Sequence, residues 1–388
     1  MEIIFLFGTV QSFFISLLIF SKKNKSTGDY VLGSWIAFIG LHLLDSYFHE
    51  SGLIFKYPHI IGIGHTFPIL QGPFMFVYVL VMINKTGKFK PVYLIHGIPF
   101  FAAFLYMTFK YFFLSAPEKV AVLKTQMIHL SPDFVIIWYF KVFLGPVYVI
   151  WSLIKLQKHK KNIADNFSFS ERINLNWLKY VVSGIGFVWI TVLLTMFFRI
   201  YFPHMPLVIG NFIIYSTLTA TVFFLGFFGF KQQVIYRVDP VKFEAPTELT
   251  SQKNIVVKAP KPKEQYKKSG LDKKTSKDYL NRLLKLMDKE KPYLNSKLSL
   301  KELADSIGIS PNNLSQVINE QTNMCFFDFV NKYRVEEVKT RLADPKNRQF
   351  TLLAIAYDCG FNSKSSFNSI FKKTTGYTPS EYLKSFLS

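Results

Sequence analysis

Seven long apolar stretches occupy the first 230 residues, and no other feature constrains the fold of this chain as tightly. They run roughly over 2–20, 30–48, 60–83, 91–114, 132–156, 177–200 and 207–230, with polar or Pro- and Gly-rich breaks between them. Each is close to the ~20 residues a helix needs to cross a bilayer core. Backbone groups find no water there and must pair within their own segment, so each stretch is expected to be a helix. The first opens with Met1-Glu2 and has neither a basic leading region nor a small-residue cleavage site, so it is expected to stay as a span.

Charge divides the chain at the same place. Residues 1–230 hold only 8 of the 25 acidic residues, whereas residues 231–388 hold 28 of the 46 Lys and Arg. Excess positive charge outside the apolar part suits a polyanion, either DNA or an anionic membrane face. Basic residues in the short loops set an orientation. Lys22, Lys23 and Lys25, then Lys85, Lys88 and Lys90, then Lys155, Lys158, Lys160, Lys161 and Arg172 fall on one side; only Lys56, Lys119 and Lys124 fall on the other. The basic side is the cytoplasmic one. The N-terminus is then outside, and an odd number of spans leaves the C-terminus inside.

Ionisable groups within spans are costly and tend to be functional. His42 and Asp45 share one face of the second stretch, His65 lies on the third, Lys141 on the fifth and Arg199 on the sixth. All five fall at mid-membrane or in its outer half, and together they are the candidate pocket for an external signal. Pro68, Pro73, Pro99 and Pro146 break the helical hydrogen-bond ladder at single points.

Residues 231–278 read as a basic, flexible tether. Pro240, Pro246, Pro260 and Pro262 interrupt a segment rich in lysine and too poor in apolar residues to build a core. A coil of ~45 residues has a root-mean-square span of about 35–40 Å.

From Tyr279 onward the pattern is that of small packed helices. Leu280, Leu283, Leu284 and Met287 line one helix face, which ends before Pro292. Ser299 with Glu302 forms a capping box; Leu300, Leu303, Ala304 and Ile307 follow, and Gly308 stops the helix. Ser310 and Pro311 start the next one, buried by Leu314, Val317 and Ile318. The same helix–turn–helix unit recurs 52 residues later. Leu352, Ile355, Ala356 and Cys359 precede Gly360, and Ser363 caps a helix buried by Phe367, Ile370 and Phe371. Phe326, Phe329, Val330, Tyr333, Val338 and Leu342 mark a longer connecting helix, and Thr378-Pro379-Ser380-Glu381 is a further capping box. A lone Ala-x-x-x-Gly pair is a weak signal. Two copies with matched caps and matched core offsets are a strong one.

The stretch Gly360-Phe361-Asn362-Ser363, Ser366-Phe367, Phe371-Lys372-Lys373, Gly376, Thr378-Pro379 and Tyr382 resembles the second helix-turn-helix and closing helix of AraC-family DNA-binding domains. The resemblance covers about 279–386, and two positions depart from it: Ser369 stands where Arg is common, and Lys384 follows Tyr382-Leu383 where Arg often follows the Tyr directly. It implies two recognition helices, held by a linker helix, entering successive major grooves on one face of the DNA. On that pattern the base-facing residues are Asn312, Asn313, Ser315 and Gln316 in the first copy and Lys364, Ser365, Asn368 and Ser369 in the second. Asn and Gln bond bidentately to adenine, and Ser to several base edges. Lys332, Lys346, Lys372 and Lys373 are the candidates for phosphate.

Gly-rich phosphate loops, His-Glu-x-x-His pairs, Gly-x-Ser-x-Gly elbows and paired-Cys metal motifs are all missing from the sequence, so no enzyme activity, metal or cofactor is expected. The expectation is an all-α chain: a seven-transmembrane-helix sensor over 1–230, the linker over 231–278 and an AraC-type double helix-turn-helix domain over 279–388. It is placed in the plasma membrane with its C-terminal domain cytoplasmic. Its partners would be double-stranded DNA, the lipid bilayer and an unidentified signal ligand, with a homodimer on paired sites as one arrangement. A transporter or channel with a regulatory cytoplasmic domain is the alternative, although no inverted repeat of spans is evident.

Overall fold

The computed structural model describes residues 2–84, 88–124, 132–169, 175–202, 207–236 and 272–387, and these contain helices but no named strand. The chain divides into two compact units: residues 1–158 with 175–245, and residues 159–174 with 246–388.

The first unit is built from α1 (Glu2–Phe20), α2 (Thr27–Glu50), α3 (Leu53–Lys56), α4 (Phe67–Ile83), α5 (Ile98–Phe112), α6 (Ala116–Lys124), α7 (Pro132–Asn166, of which the last turns from His159 belong to the second unit), α8 (Asn176–Tyr201) and α9 (Leu207–Tyr236). Among the described residues, seven segments are long and apolar enough to cross a membrane, and they coincide with the seven stretches read from the sequence. Phe14, Leu17, Phe143, Phe187 and Phe224 are exposed on their outer faces. Inside, helices approach closely through small residues. A Cβ on Gly33 of α2 would sit 2.8 Å from the Phe20 ring, and Ser16 Oγ donates to the Gly33 carbonyl at 2.9 Å. Trp35, fully buried, donates its indole N–H to Gln71 Oε1 at 2.8 Å. Lys22 just after α1 pairs with Asp29, which also closes a capping box with Ser26.

The second unit continues with α10 (Lys273–Glu290), α11 (Leu300–Ser306), α12 (Pro311–Thr322), α13 (Phe326–Ala343), α14 (Leu352–Asp358), α15 (Lys364–Thr375) and α16 (Pro379–Leu387). Local chemistry accounts for most of its boundaries. Ser299 and Glu302 exchange both bonds of a capping box, Ser310 accepts from Asn313 N–H, and Ser363 accepts from Ser366 N–H. Thr351, which the sequence pattern did not single out, caps α14 through Ala354 N–H. The two turns are set by Gly308 at φ +70° and Gly360 at φ +89°, a region that side chains with a Cβ rarely adopt.

Two cores result. Leu303, Ala304, Leu314 and Ile318 pack with Phe326 and Val330; Ala356, Cys359, Phe367 and Phe371 pack with Val335 and Val338. Helix α13 thus supplies its first half to one core and its second half to the other. Glu337 on the same helix accepts from Lys291 at 2.8 Å, Arg341 at 3.0 Å and the Tyr293 hydroxyl at 3.1 Å. Burial alone would raise its carboxyl, but these donors outweigh it and hold the group below its ordinary value.

The observed boundaries differ from the expected ones in three places. The linker read over 231–278 is helical at both ends, in α9 up to Tyr236 and in α10 from Lys273; residues 237–271 lie outside the described residues. Asp272 explains the early start of α10, because its carboxylate accepts from Thr275 N–H. Helix α7 does not stop with its apolar stretch near 156 but continues to Asn166, since nothing in the polar run that follows breaks a helix.

Candidate nucleic-acid interface

Helices α12 and α15 are the second helices of the two repeated units. In α15 the buried side is Phe367 and Phe371, which leaves Lys364, Ser365, Asn368, Ser369 and Lys372 exposed. In α12 the buried side is Leu314, Val317 and Ile318; Asn312 is exposed, and Asn313 and Ser315 are half-buried. Asn319 turns its amide back to the Ser315 carbonyl at 2.8 Å.

Gln316 departs from expectation. The helical pattern turns it toward the bases, yet the structure buries it to 4% exposure, and its Nε2 donates to Glu320 Oε1 at 3.0 Å. The face buried on α12 is wider than the apolar triplet implies. On this geometry Asn312 is the fully exposed member of the first set, beside the half-buried Asn313 and Ser315.

The lysines also differ among themselves. Lys332, Lys346 and Lys372 are exposed. Lys373 is exposed too but pairs with Asp328 of α13 at 2.8 Å, and that hydrogen bond raises its ammonium pKa. The ion pair joins α13 to α15 and makes Lys373 a weaker phosphate candidate than Lys372. Exposed Arg348, in the same turn as Lys346, adds a cation that sequence reasoning passed over.

Of the five ionisable residues of the first unit, Lys141 is within electrostatic reach of both His42 and Asp45. His42 and Lys141 line a cavity of about 400 Å³ together with Gln71, Trp138, Trp189 and Tyr215. Buried His42 Nδ1 and Gln71 Nε2 have no hydrogen-bond partner there. Asp45 packs on Gly64 and lies 4.0 Å from His49 Nε2 while staying within electrostatic reach of Lys141, and the His49 ring lies 6.0 Å from that of His65. Arg199 is on α8, with its side chain outside the described residues.

A family model described as a helix-turn-helix domain matches residues 303–385. This part of the chain is a helix-turn-helix domain. Three curated relatives share it. The uncharacterized HTH-type transcriptional regulator YijO of Escherichia coli is 32% identical over 93 residues, covering 24% of this chain and 32% of the relative. One from Pseudoalteromonas carrageenovora, in the cgkA 5' region, is 29% identical over 99 residues, covering 26% and 56%. One from Staphylococcus aureus strain COL is 34% identical over 90 residues, covering 23% and 12%. The chain therefore spans between about a tenth and a little over half of the length of these relatives, and their likeness concerns the helix-turn-helix domain alone. Within that domain sequence reasoning passed over Asp328 and Arg334, both on α13, because their partners are distant in sequence.

Proposed function

We propose that this chain is a membrane-bound, sequence-specific transcription regulator with an AraC-type DNA-binding domain on the cytoplasmic side. The observation that carries the reading is the duplication: two capped helices, each after a left-handed glycine turn, each presenting a polar face, and both seated on α13. Such a pair suits entry into two successive major grooves, about one helical turn apart. Asn312, Ser365 and Asn368 read base edges; Lys372, Lys332 and Lys346 meet phosphate.

The test is selection from a randomised duplex pool with the full-length chain in lipid nanodiscs. A two-part motif with halves about 10 base pairs apart is expected; recovery of no motif at moderate salt would refute the proposal. In the same assay Asn368→Ala should relax one base position, losing about 5- to 100-fold there, as for one bidentate contact. Lys372→Ala should weaken all sequences alike and reduce the salt slope by about one charge.

The seven-helix unit serves as the sensor, inserted with its N-terminus outside. Its receiving site is the cavity bearing His42 and Lys141, where a partly polar ligand would meet the unpartnered His42 and Gln71 atoms. Lys141→Met should leave DNA selection unchanged while abolishing the transcriptional response of a reporter to whichever stimulus drives the wild type. A full response in that variant at normal abundance would exclude the cavity.

A further inference from the structure

Helix α7 ends at Asn166, and the next three residues do something its sequence does not advertise. Phe167 forms an antiparallel bridge with Ser299, the cap of the first helix-turn-helix. Ser168 N–H and Oγ both donate to the Leu298 carbonyl, at 3.2 and 2.7 Å. The Ser168 carbonyl accepts from Asn331 Nδ2 at 3.1 Å and from Arg334 Nη1 at 2.9 Å, and Arg334 Nη2 reaches Ser168 Oγ at 3.1 Å. Ser168 and Phe169 are buried, 1% and 7% exposed. The segment is thus hydrogen-bonded as a short strand is, on an edge of the unit that contains both helix-turn-helix motifs.

Its anchor is the joint of that unit. Arg334, 1% exposed, also donates to the Tyr293 and Asn295 carbonyls at 2.8 Å each. The turn of the second motif abuts the same place, since a Cβ on Gly360 would lie 2.9 Å from Arg334 Nε and 2.4 Å from the Tyr293 oxygen. One guanidinium therefore ties together the entry to the first motif, the connecting helix and the loop segment, with the second motif packed against it.

We propose that Phe167–Phe169 is a latch: the groove between Leu298–Ser299 and the Asn331–Arg334 face of α13 is a docking site for this chain's own loop, through which α7 sets the relative placement of the two DNA-reading helices. The proposal rests on the regulator reading for its consequence, while the docking itself stands on the contacts above. The described hydrogen bonds of Phe167–Phe169 reach none of the base-reading candidates, so the device acts on spacing and leaves each helix free to bind its own half-site.

The experiment uses full-length protein in membranes, with Cys325→Ser and a protease site inserted between residues 250 and 260. Phe167→Cys with Ser299→Cys places two thiols at bridged positions, where the Cα separation suits a disulfide. After oxidation and cleavage, the C-terminal fragment should stay joined to the membrane fragment until reductant is added, at least tenfold more than with Phe167→Cys and Ser380→Cys. Equal joining by both pairs overturns the docking.

In nanodiscs, wild type should discriminate against a site with one inserted base pair between the halves. Ser168→Pro, which lacks the N–H and hydroxyl donors, should bind single half-sites as wild type does but lose most of that discrimination; Ser168→Ala should fall between. Unchanged discrimination in Ser168→Pro overturns the control of spacing. If wild type selects no motif at all, the regulator reading fails, and the disulfide result still reports on the latch.

Discussion

Gly360→Ala is expected to destabilise the second helix-turn-helix by about 2–5 kcal/mol, the sum of a left-handed backbone penalty of about 1–2 and an overpacking cost of about 1–3. The backbone at Gly360 has φ +89°, and an added methyl carbon would meet the Tyr293 carbonyl oxygen at 2.4 Å and the Leu294 oxygen at 3.0 Å. Both are backbone atoms and cannot swing aside. The other two glycines of the domain are controls. Gly376 has φ +84° with nothing near an added Cβ, and Gly308 has φ +70° with only the end of Arg282 at 3.9 Å. Alanine at either should cost only the backbone part, about 1–2 kcal/mol. Temperature-dependent proteolysis of the full-length chain measures this: the C-terminal unit should become cleavable roughly 10–30 °C earlier in Gly360→Ala, and distinctly less early in the other two. Equal shifts in all three would show that the crowding is relieved by movement of the 293–294 segment.

Arg334→Met should cost a similar amount, about 3–6 kcal/mol, for a different reason. The side chain is buried and donates to three carbonyls, those of Tyr293, Asn295 and Ser168, and to Asn331 Oδ1 and Ser168 Oγ. Methionine fills much of the volume but takes one donor from each of three carbonyls, at about 1–2 kcal/mol each, although Ser168 keeps Asn331 Nδ2 and Asn295 keeps Leu298 N–H. Lysine should not rescue, because one ammonium on a flexible stem cannot copy the planar fork that reaches 168, 293 and 295 together. The contrast is Lys372→Ala, an exposed change expected to move stability by no more than about 0.5 kcal/mol while weakening DNA binding. Arg334→Met and Ser168→Ala share partners, so their combined effect should be less than additive. Strict additivity would separate the latch from the joint.

The sequence already contained most of what is local. Capping boxes at Ser299–Glu302 and Thr378–Glu381, caps at Ser310 and Ser363, and the turns at Gly308 and Gly360 all involve groups within about five residues of one another, and each appears in the structure as read. The seven apolar helices were equally legible, because a run of ~20 apolar residues has few alternatives to a helix. Which polar residues of α12 and α15 stay exposed was legible only in part. Helical periodicity correctly left Asn312, Ser365 and Asn368 exposed, but it could not foresee that Gln316 is buried and bonded to Glu320, or that Asp328 takes up Lys373.

By itself, then, the sequence determined the helices, their ends, the doubling of the helix-turn-helix and the apolar character of the first unit, since these follow from backbone preference and side-chain periodicity over a few residues. Tertiary structure alone decided which charged residues meet. It set Lys141 within electrostatic reach of both His42 and Asp45, and it brought Ser168 to Arg334 across 166 positions of chain. The reason is physical: a buried guanidinium or carbonyl must be satisfied by whatever the packing brings within about 3 Å, and no pattern along the chain encodes which distant group that will be.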